Sequence, residues 1–190
     1  MSSASQERRE TTGLSARRAA LAAALAAALA VASGGSAGAP GDPDIATLAA
    51  RPEVARALAL IDSRKADLVE AWIRIASTPA YSGKEGARAL LVEGLMEEIG
   101  LESVRRDEMG NVIGVIPGRD RSAKAVLFMA HMDTVAQPGA DFTVRNDGRT
   151  LRGPGVRDDS SGVAGILAAA RALKEAGVVP PTDLWVVGSV

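Results

Sequence analysis

The stretch AVLFMAHMDT, residues 125–134, decides the fold of this chain, because its run of apolar residues predicts a buried strand that ends at His131. His131 is the one histidine in the sequence. Asp133 follows two positions later, and alternate residues of an extended segment point the same way, so both side chains can reach one site. A second stretch, GPGVRDDSSG at residues 153–162, places two adjacent aspartates before a predicted helix.

These groups suit a metal ion. A neutral imidazole is a good zinc ligand, and its second ring nitrogen usually needs a carboxylate or carbonyl partner. Asp158 or Asp159 can give a carboxylate to the metal, and a cation relieves the repulsion between the two adjacent charges. Ligands of open α/β sheets bind beyond the carboxyl ends of strands, where His131 and Asp158 are both expected. The nitrogen and oxygen donors favour zinc, and they are also compatible with cobalt or manganese.

The same residues also have a purely structural interpretation. A lone histidine is more often structural than a ligand, and an Asp-Asp pair before a helix often supplies only an N-cap. The order of the motifs favours the metal. His-x-Asp ends a strand, and a Gly-Pro-Gly turn then leads into Asp-Asp and a helix. We therefore predict a metal site.

The rest of the chain predicts an α/β fold. Hydrophobic periodicity and turn residues predict helices at 47–76, 82–100 and 161–176, a β-hairpin at 104–116 and a strand at 184–190. Ser82 and Glu85 form a capping-box pattern for the second helix, and Trp72 has the spacing of a core residue in the first. Strand, helix, strand implies a parallel crossover, so we predict a mixed, mainly parallel central sheet flanked by helices.

Two stretches, HMDTV at 131–135 and LRGPGVRDD at 151–159, resemble those of a known family. It is the co-catalytic zinc exopeptidase and deacylase family, which includes glutamate carboxypeptidase, peptidase T, acetylornithine deacetylase and succinyl-diaminopimelate desuccinylase. The resemblance runs from about residue 61 to the end of the chain and includes DEMGNVI at 107–113, which is similar to the family's hairpin before the metal strand.

The resemblance implies a catalytic domain that binds two zinc ions and hydrolyses peptide or N-acyl amino acid amide bonds with an activated water. By position, His131 would bind one zinc, Asp133 would orient His131 and act in catalysis, and Asp158 would bridge both ions. A cis peptide bond after Asp158 is also implied. Ser160 departs from the lysine that many members carry at its position.

A related aminopeptidase family of the same clan is the alternative, because it also uses His-x-Asp and Asp-Asp, and the sequence DDSSG at 158–162 suits it well. Its two motifs are usually closer together. Here a predicted hairpin at 142–152 separates them, which favours the first family.

The end of the sequence bears on activity. The resemblance implies a Glu-Glu pair after the strand at 184–190, with the first glutamate as general base, and then a second histidine, a further acidic ligand and a dimerisation domain. We therefore expect these residues to be the N-terminal part of a longer enzyme, inactive alone, whose homodimer would form through the further domain. A truncated or degenerate module without chemistry is the non-enzymatic alternative.

Residues 1–39 predict an export signal. Arginine pairs at 8–9 and 17–18 precede an apolar run at 19–32 that is too short to span a membrane easily, and AGA at 37–39 resembles a cleavage site. Arg17-Arg18 is similar to a twin-arginine signal. We predict a linker at 40–46, the catalytic portion at 47–190, and an exported, periplasmic or extracellular protein with no stable membrane anchor after cleavage.

The amino-acid composition limits the classes of molecule that the chain is expected to bind. Hydrophobic residues at 47% and charged residues at 24% are typical of a globular chain. A net charge of −1 and 3% aromatic residues argue against nucleic acid. The lack of cysteine excludes disulfides and thiolate metal sites. The expected partner is a peptide or N-acyl amino acid substrate.

Overall fold

The computed structural model describes residues 45–190, so the predicted export signal lies outside the described residues. Of the predicted linker, only Ile45 and Ala46 are described, and they begin the first helix. The helices are α1 (Ile45–Ala49), α2 (Pro52–Ser63), α3 (Lys65–Ser77), α4 (Gly86–Ile99) and α5 (Ser160–Glu175). The strands are β1 (Glu102–Arg106), β2 (Val112–Ile116), β3 (Val126–His131), β4 (Arg145–Asn146), β5 (Leu151–Arg152) and β6 (Leu184–Ser189).

Four strands form the central sheet in the order β1-β2-β6-β3, and β4 pairs with β5 in a separate small hairpin. β3 and β6 are parallel and joined through α5, which confirms the predicted crossover. β1–β2 and β2–β6 are antiparallel. The sheet is therefore mixed, as predicted, but it is not mainly parallel, because the second strand of the predicted hairpin, β2, also pairs antiparallel with β6.

The helices cover one face of this sheet. α4 lies on β1 and β2, α5 lies on β3 and β6, and α2 and α3 pack against α5. The strand residues that face these helices are Val112, Ile116, Val126, Phe128, Ala130, Leu184 and Val186. On the other face of the edge strand β3, Leu127 and Met129 are 53% and 60% exposed. The main core therefore lies between the sheet and its single helical layer.

The capping box predicted at Ser82 and Glu85 is wrong. α4 begins at Gly86, its N-cap position is Glu85, and no side chain caps it. The hydroxyl of Ser82 instead donates to Asp133, and the Glu85 carboxylate accepts from the backbone N–H of Gly83. The hydroxyl of Ser82 is therefore bonded to Asp133, which is distant in the sequence, and not to the start of α4.

The end of α4 agrees with its sequence signal. α4 ends at Gly100, whose φ of 78° is the left-handed conformation that glycine adopts most easily. The single helix predicted at 47–76 is instead divided into α1, α2 and α3, with breaks at residues 50–51 and at Arg64. Within residues 45–190, no helix combines the length and the apolar character that crossing a membrane requires.

Met96 and Leu90, both in α4, provide a matched test of this packing. Met96 is fully buried and Leu90 is 61% exposed. We expect Met96→Ala to lower the free energy of unfolding by about 2–5 kcal/mol, since it leaves a cavity between α4 and the sheet. Leu90→Ala should change it by less than ~0.5 kcal/mol. Urea denaturation of both variants measures this, and equal losses would contradict the described packing.

Candidate metal centre

His131 lies at the carboxyl edge of the central sheet. It is the last residue of β3 and pairs in register with Ser189 of β6. The next residue, Met132, is fully buried, and its N–H donates to the carbonyl of Ser189 at 2.7 Å. The parallel pairing thus continues past the imidazole and fixes its backbone at the edge where the sequence predicted a site.

The structure brings His131, Asp133 and Asp158 together. The Nδ1 of His131 lies 2.7 Å from Oδ1 of Asp133, and its Nε2 lies 3.0 Å from Oδ1 of Asp158. The side chain of Asp158 is 88% exposed, and that of Asp133 is 22% exposed. The mostly buried carboxylate of Asp133 therefore contacts Nδ1 of His131, and the exposed carboxylate of Asp158 contacts Nε2.

Asp158 and Asp159 have different tasks, although the sequence allowed either one to face the metal. Asp159 is the N-cap of α5, and its Oδ1 accepts from the N–H of Gly162 at 3.0 Å. This leaves Asp158 as the carboxylate beside His131. The peptide bond between the two aspartates is cis, as the resemblance implied.

The surrounding groups shift the pKa of His131 and that of Asp133. Burial opposes protonation of His131, but hydrogen bonds to Asp158 and Asp133 outweigh it and raise the pKa of the imidazole above its usual 6.5. The hydrogen bond from Ser82 lowers the pKa of Asp133, and the contact with His131 lowers it further. Without a metal, the two carboxylates therefore favour the protonated form of His131, whose positive charge lies between them.

Trp72 fixes the turn that carries Asp158, although its spacing suggested only a core role. Its indole N–H donates to the carbonyl of Val156 at 2.6 Å. In the same turn Gly155 has a φ of 64° and lies so close to Thr134 that a Cβ there would clash with the threonine side chain. These contacts hold the Asp158 turn against the loop that follows His131.

Ser82 is a further residue that sequence reasoning missed. Its hydroxyl donates to Oδ2 of Asp133, the oxygen that His131 does not use. The backbone brings it there, because the N–H of Thr134 donates to the carbonyl of Ala80 at 2.7 Å and Tyr81 pairs with Thr134. The partners are 51 positions apart, and no spacing signal in the sequence connects them.

The donor set fits part of a metal site. Nε2 of His131 and the exposed carboxylate of Asp158 converge, and imidazole and carboxylate are both zinc ligands. Within residues 45–190, no three histidine, cysteine or acidic side chains are placed so that all of them could hold one ion, because Asp133 contacts Nδ1 of His131, on the other side of the ring from Asp158. Catalytic zinc sites usually take three protein ligands, so His131 and Asp158 would supply two of the ligands that such an ion needs.

Ser160, the residue that departs from the family pattern, is fully buried at the first position of α5. Its hydroxyl oxygen is buried and has no hydrogen-bond partner. Burying an unpaired hydroxyl is unfavourable. A long cationic side chain would not fit this enclosed position without rearrangement of its surroundings.

Comparisons with known proteins find similarity to peptidases. The family model described as Peptidase family M28 matches residues 111–188. Carboxypeptidase G2 of Pseudomonas sp. is 37% identical over 94 residues, which cover 46% of this chain and 22% of the relative. Peptidase T of Aeromonas salmonicida is 31% identical and covers 58% of this chain and 36% of its own length. This chain thus spans about a fifth to a third of the length of these relatives.

A solved structure shows the same fold. The dipeptidase Dug1p of Saccharomyces cerevisiae superposes with a TM-score of 0.61 at 18% identity, over 73% of this chain and 35% of that chain. The resemblance to co-catalytic zinc peptidases is therefore confirmed, and so is the α/β fold with a mixed sheet flanked by helices. Peptidase T was named from the sequence, whereas the family model is that of M28, so the comparisons support the peptidase group as a whole.

The titration of His131 tests the electrostatics of the site. Its ring signals are the only histidine signals of the chain, so ¹⁵N-histidine labelling reports it directly by NMR. We expect a pKa above 6.5 without metal. A raised pKa means that protonated His131 contributes its full stabilisation below pH 6.5 and that this contribution is lost as the pH rises through the folded-state pKa.

Asp158→Asn should lower the pKa of His131, since it removes the negative charge beside Nε2. Asp120→Asn is the matched control and should leave the pKa of His131 unchanged. Asp120 accepts a hydrogen bond from Ser122 in its own loop, which lies beside the start of β6, at the edge of the sheet opposite His131. A pKa at or below 6.5 in the unmodified chain would contradict the described geometry.

The adjacent serines at the start of α5 make a second test. Ser160→Ala removes the unpaired buried hydroxyl and should raise the free energy of unfolding by about 1 kcal/mol. Ser161→Ala removes a hydroxyl that donates to the carbonyl of Arg157 at 2.7 Å and should cost about 0.5–1 kcal/mol. Thermal and urea denaturation measure the difference. A loss of stability in Ser160→Ala would show that its hydroxyl has a partner.

Proposed function

We propose that these residues form the N-terminal, metal-binding part of a zinc-dependent hydrolase that cleaves peptide or N-acyl amino acid amide bonds. The observation that carries this proposal is the meeting of His131, Asp133 and Asp158 at the carboxyl edge of the sheet. The similarity to carboxypeptidase G2 and peptidase T supports peptide hydrolysis as the chemistry.

His131 would hold the metal through Nε2, and Asp158 would turn its exposed carboxylate from the imidazole to the ion. Asp133 accepts the Nδ1 proton, which fixes the tautomer that leaves Nε2 open. When bound, zinc supplies a Lewis acid that polarises the scissile carbonyl and lowers the pKa of a water. Cobalt or manganese would suit the same donors.

A complete site would hold two ions bridged by Asp158, and its other parts would come from polypeptide beyond these 190 residues. The sequence has no histidine besides His131, so an imidazole for the second ion must come from elsewhere. The general base and the dimerisation domain implied by the resemblance would come from there too. We also propose export, on the basis of the signal-like residues 1–39.

Metal titration of the 190-residue chain tests the assignment. We expect weak binding of zinc, which His131→Ala abolishes and Asp158→Asn weakens by about 10-fold or more, since each variant removes a ligand. Asp120→Asn is the matched control, because it removes one carboxylate charge at the opposite edge of the sheet. Calorimetry, together with absorption of the cobalt form, measures the affinities. Unchanged zinc binding in His131→Ala would overturn the assignment.

Turnover is measured on the same samples. We expect no hydrolysis of dipeptides or N-acetyl amino acids by the 190-residue chain with zinc, because it lacks the proposed general base. Activity that disappears in His131→Ala would show that the chain completes its own site. The intact mass of the protein from its native host then distinguishes an enzyme that continues past Val190 from a module that ends there and has no chemistry.

An aminopeptidase of the related family is a second candidate, favoured by the M28 family model over residues 111–188. An aminopeptidase needs a free amino terminus, whereas a deacylase needs an acylated one. The native enzyme assayed with a tripeptide and its N-acetyl derivative therefore separates the two. Cleavage of only the free tripeptide, with release of its amino-terminal residue, supports the aminopeptidase.

A further inference from the structure

We propose that Ser82 and Arg88 are positioning residues for the metal centre, which hold Asp133 and the loop after His131 in the arrangement that leaves Nε2 open for metal. This inference rests on the proposed function, since it concerns the same centre. Neither residue belongs to the motifs that predicted the site.

Ser82 acts directly on Asp133. His131 takes Oδ1 of this carboxylate, and Ser82 takes Oδ2. A carboxylate bonded at one oxygen can rotate about its last side-chain bond, whereas one bonded at both oxygens is fixed in plane and direction. Because Asp133 sets the orientation of the imidazole, its own orientation decides where Nε2 points.

Arg88 acts on the loop that carries Asp133. Its side chain is fully buried. One terminal nitrogen donates to the carbonyl of Met132 at 2.6 Å and to the hydroxyl of Thr134 at 2.9 Å, so it holds the residues on both sides of Asp133. The other donates to the carbonyl of Thr78 at 2.7 Å, and Nε donates to the same oxygen at 3.0 Å. The guanidinium therefore joins the end of α3 to the loop after β3.

This junction also explains why Ser82 can reach Asp133. Thr78 begins the connection to α4, and Ser82 lies four residues further along it. Arg88 binds Thr78, at one end of this connection, and also the loop 132–134. The hydrogen bond from Thr134 to Ala80 joins the same loop to the middle of the connection. The planar guanidinium of Arg88, whose donors have fixed directions, thus sets the distance between the connection 78–85 and the loop 132–134.

A buried guanidinium is costly to maintain unless its donors are satisfied. Burial lowers the pKa of Arg88 to about 10, and the negative charge of Asp133 opposes this shift. At neutral pH Arg88 remains charged and its positive potential acts on Asp133. A neutral side chain of similar length would fill the volume but would bind neither loop.

The test compares zinc affinity and the tautomer of His131 in Ser82→Ala, Ser82→Thr and the unmodified chain. We expect Ser82→Ala to weaken zinc binding by about 10-fold, the lower end of the effect of removing an outer-shell partner. It should also reduce the ¹⁵N signature of a protonated Nδ1 in metal-free, neutral His131. Ser82→Thr retains the hydroxyl and should restore both properties.

Ser122→Ala is the matched control. Ser122 donates its hydroxyl to Oδ1 of Asp120 at 2.7 Å, so it forms the same kind of serine–aspartate bond away from the metal centre. We expect it to leave zinc affinity and the His131 signals unchanged. Arg88→Lys retains the charge but loses the planar set of donors, and it should weaken zinc binding as well. If this variant does not fold, the Ser82 series still decides the proposal.

The outcomes separate this inference from the proposed function. If the unmodified chain binds zinc through His131 but Ser82→Ala shows the same affinity and the same ring signals, the positioning role is wrong and the metal centre stands. If the unmodified chain binds no zinc, the proposed function fails. The tautomer measurement then still decides whether Ser82 orients His131 through Asp133, because it needs no metal.

Discussion

The parallel pairing of β3 with β6 constrains the rest of the site. Two parallel neighbours can be joined only if the chain returns from the carboxyl edge of the sheet to its amino edge, and here α5 makes that return. α5 must therefore begin at the edge where β3 ends. His131 is the last residue of β3, and Asp158 and Asp159 immediately precede α5, so the topology brings the imidazole and the aspartate pair to one place.

The features that could be predicted from the sequence are those that a local pattern specifies. The apolar run before His131 indicated β3, and the Gly-Pro-Gly turn before Asp158 indicated the start of α5. Both lie where they were expected, and His131, Asp133 and Asp158 meet as predicted. The local pattern alone left open which aspartate faces His131, because either could cap the helix, and only the family resemblance pointed to Asp158. The structure decides it through the hydrogen bond from Gly162 to Asp159.

The supporting contacts could not be predicted, because each joins segments that are far apart in the chain. Arg88 and Met132 are 44 positions apart, Ser82 and Asp133 are 51 apart, and Trp72 and Val156 are 84 apart. The capping-box pattern at Ser82 failed for the same reason. A serine hydroxyl has one proton to donate, and an ionised carboxylate is a stronger acceptor than other groups within its reach. The sheet was predicted as mainly parallel because the β3–α5–β6 unit and one hairpin indicated strand directions, and no local pattern indicated that β2 pairs antiparallel with β6.

In the proposed metal centre, the same groups would serve a protonated and a metal-bound state. Asp158 lies against Nε2, where it favours a proton on the same lone pair that a metal would need. Binding of a metal to Nε2 would have to release that proton, and the carboxylate of Asp158 would then be available to the ion. Asp133 keeps the same role in both states, since it accepts from Nδ1 whether Nε2 carries a proton or a metal. Asp133, the less exposed carboxylate, is held by Ser82, whereas Asp158 is exposed to solvent. A site that exchanges a proton for a metal would need this division, because the imidazole must keep its orientation while the carboxylate beside Nε2 changes its partner.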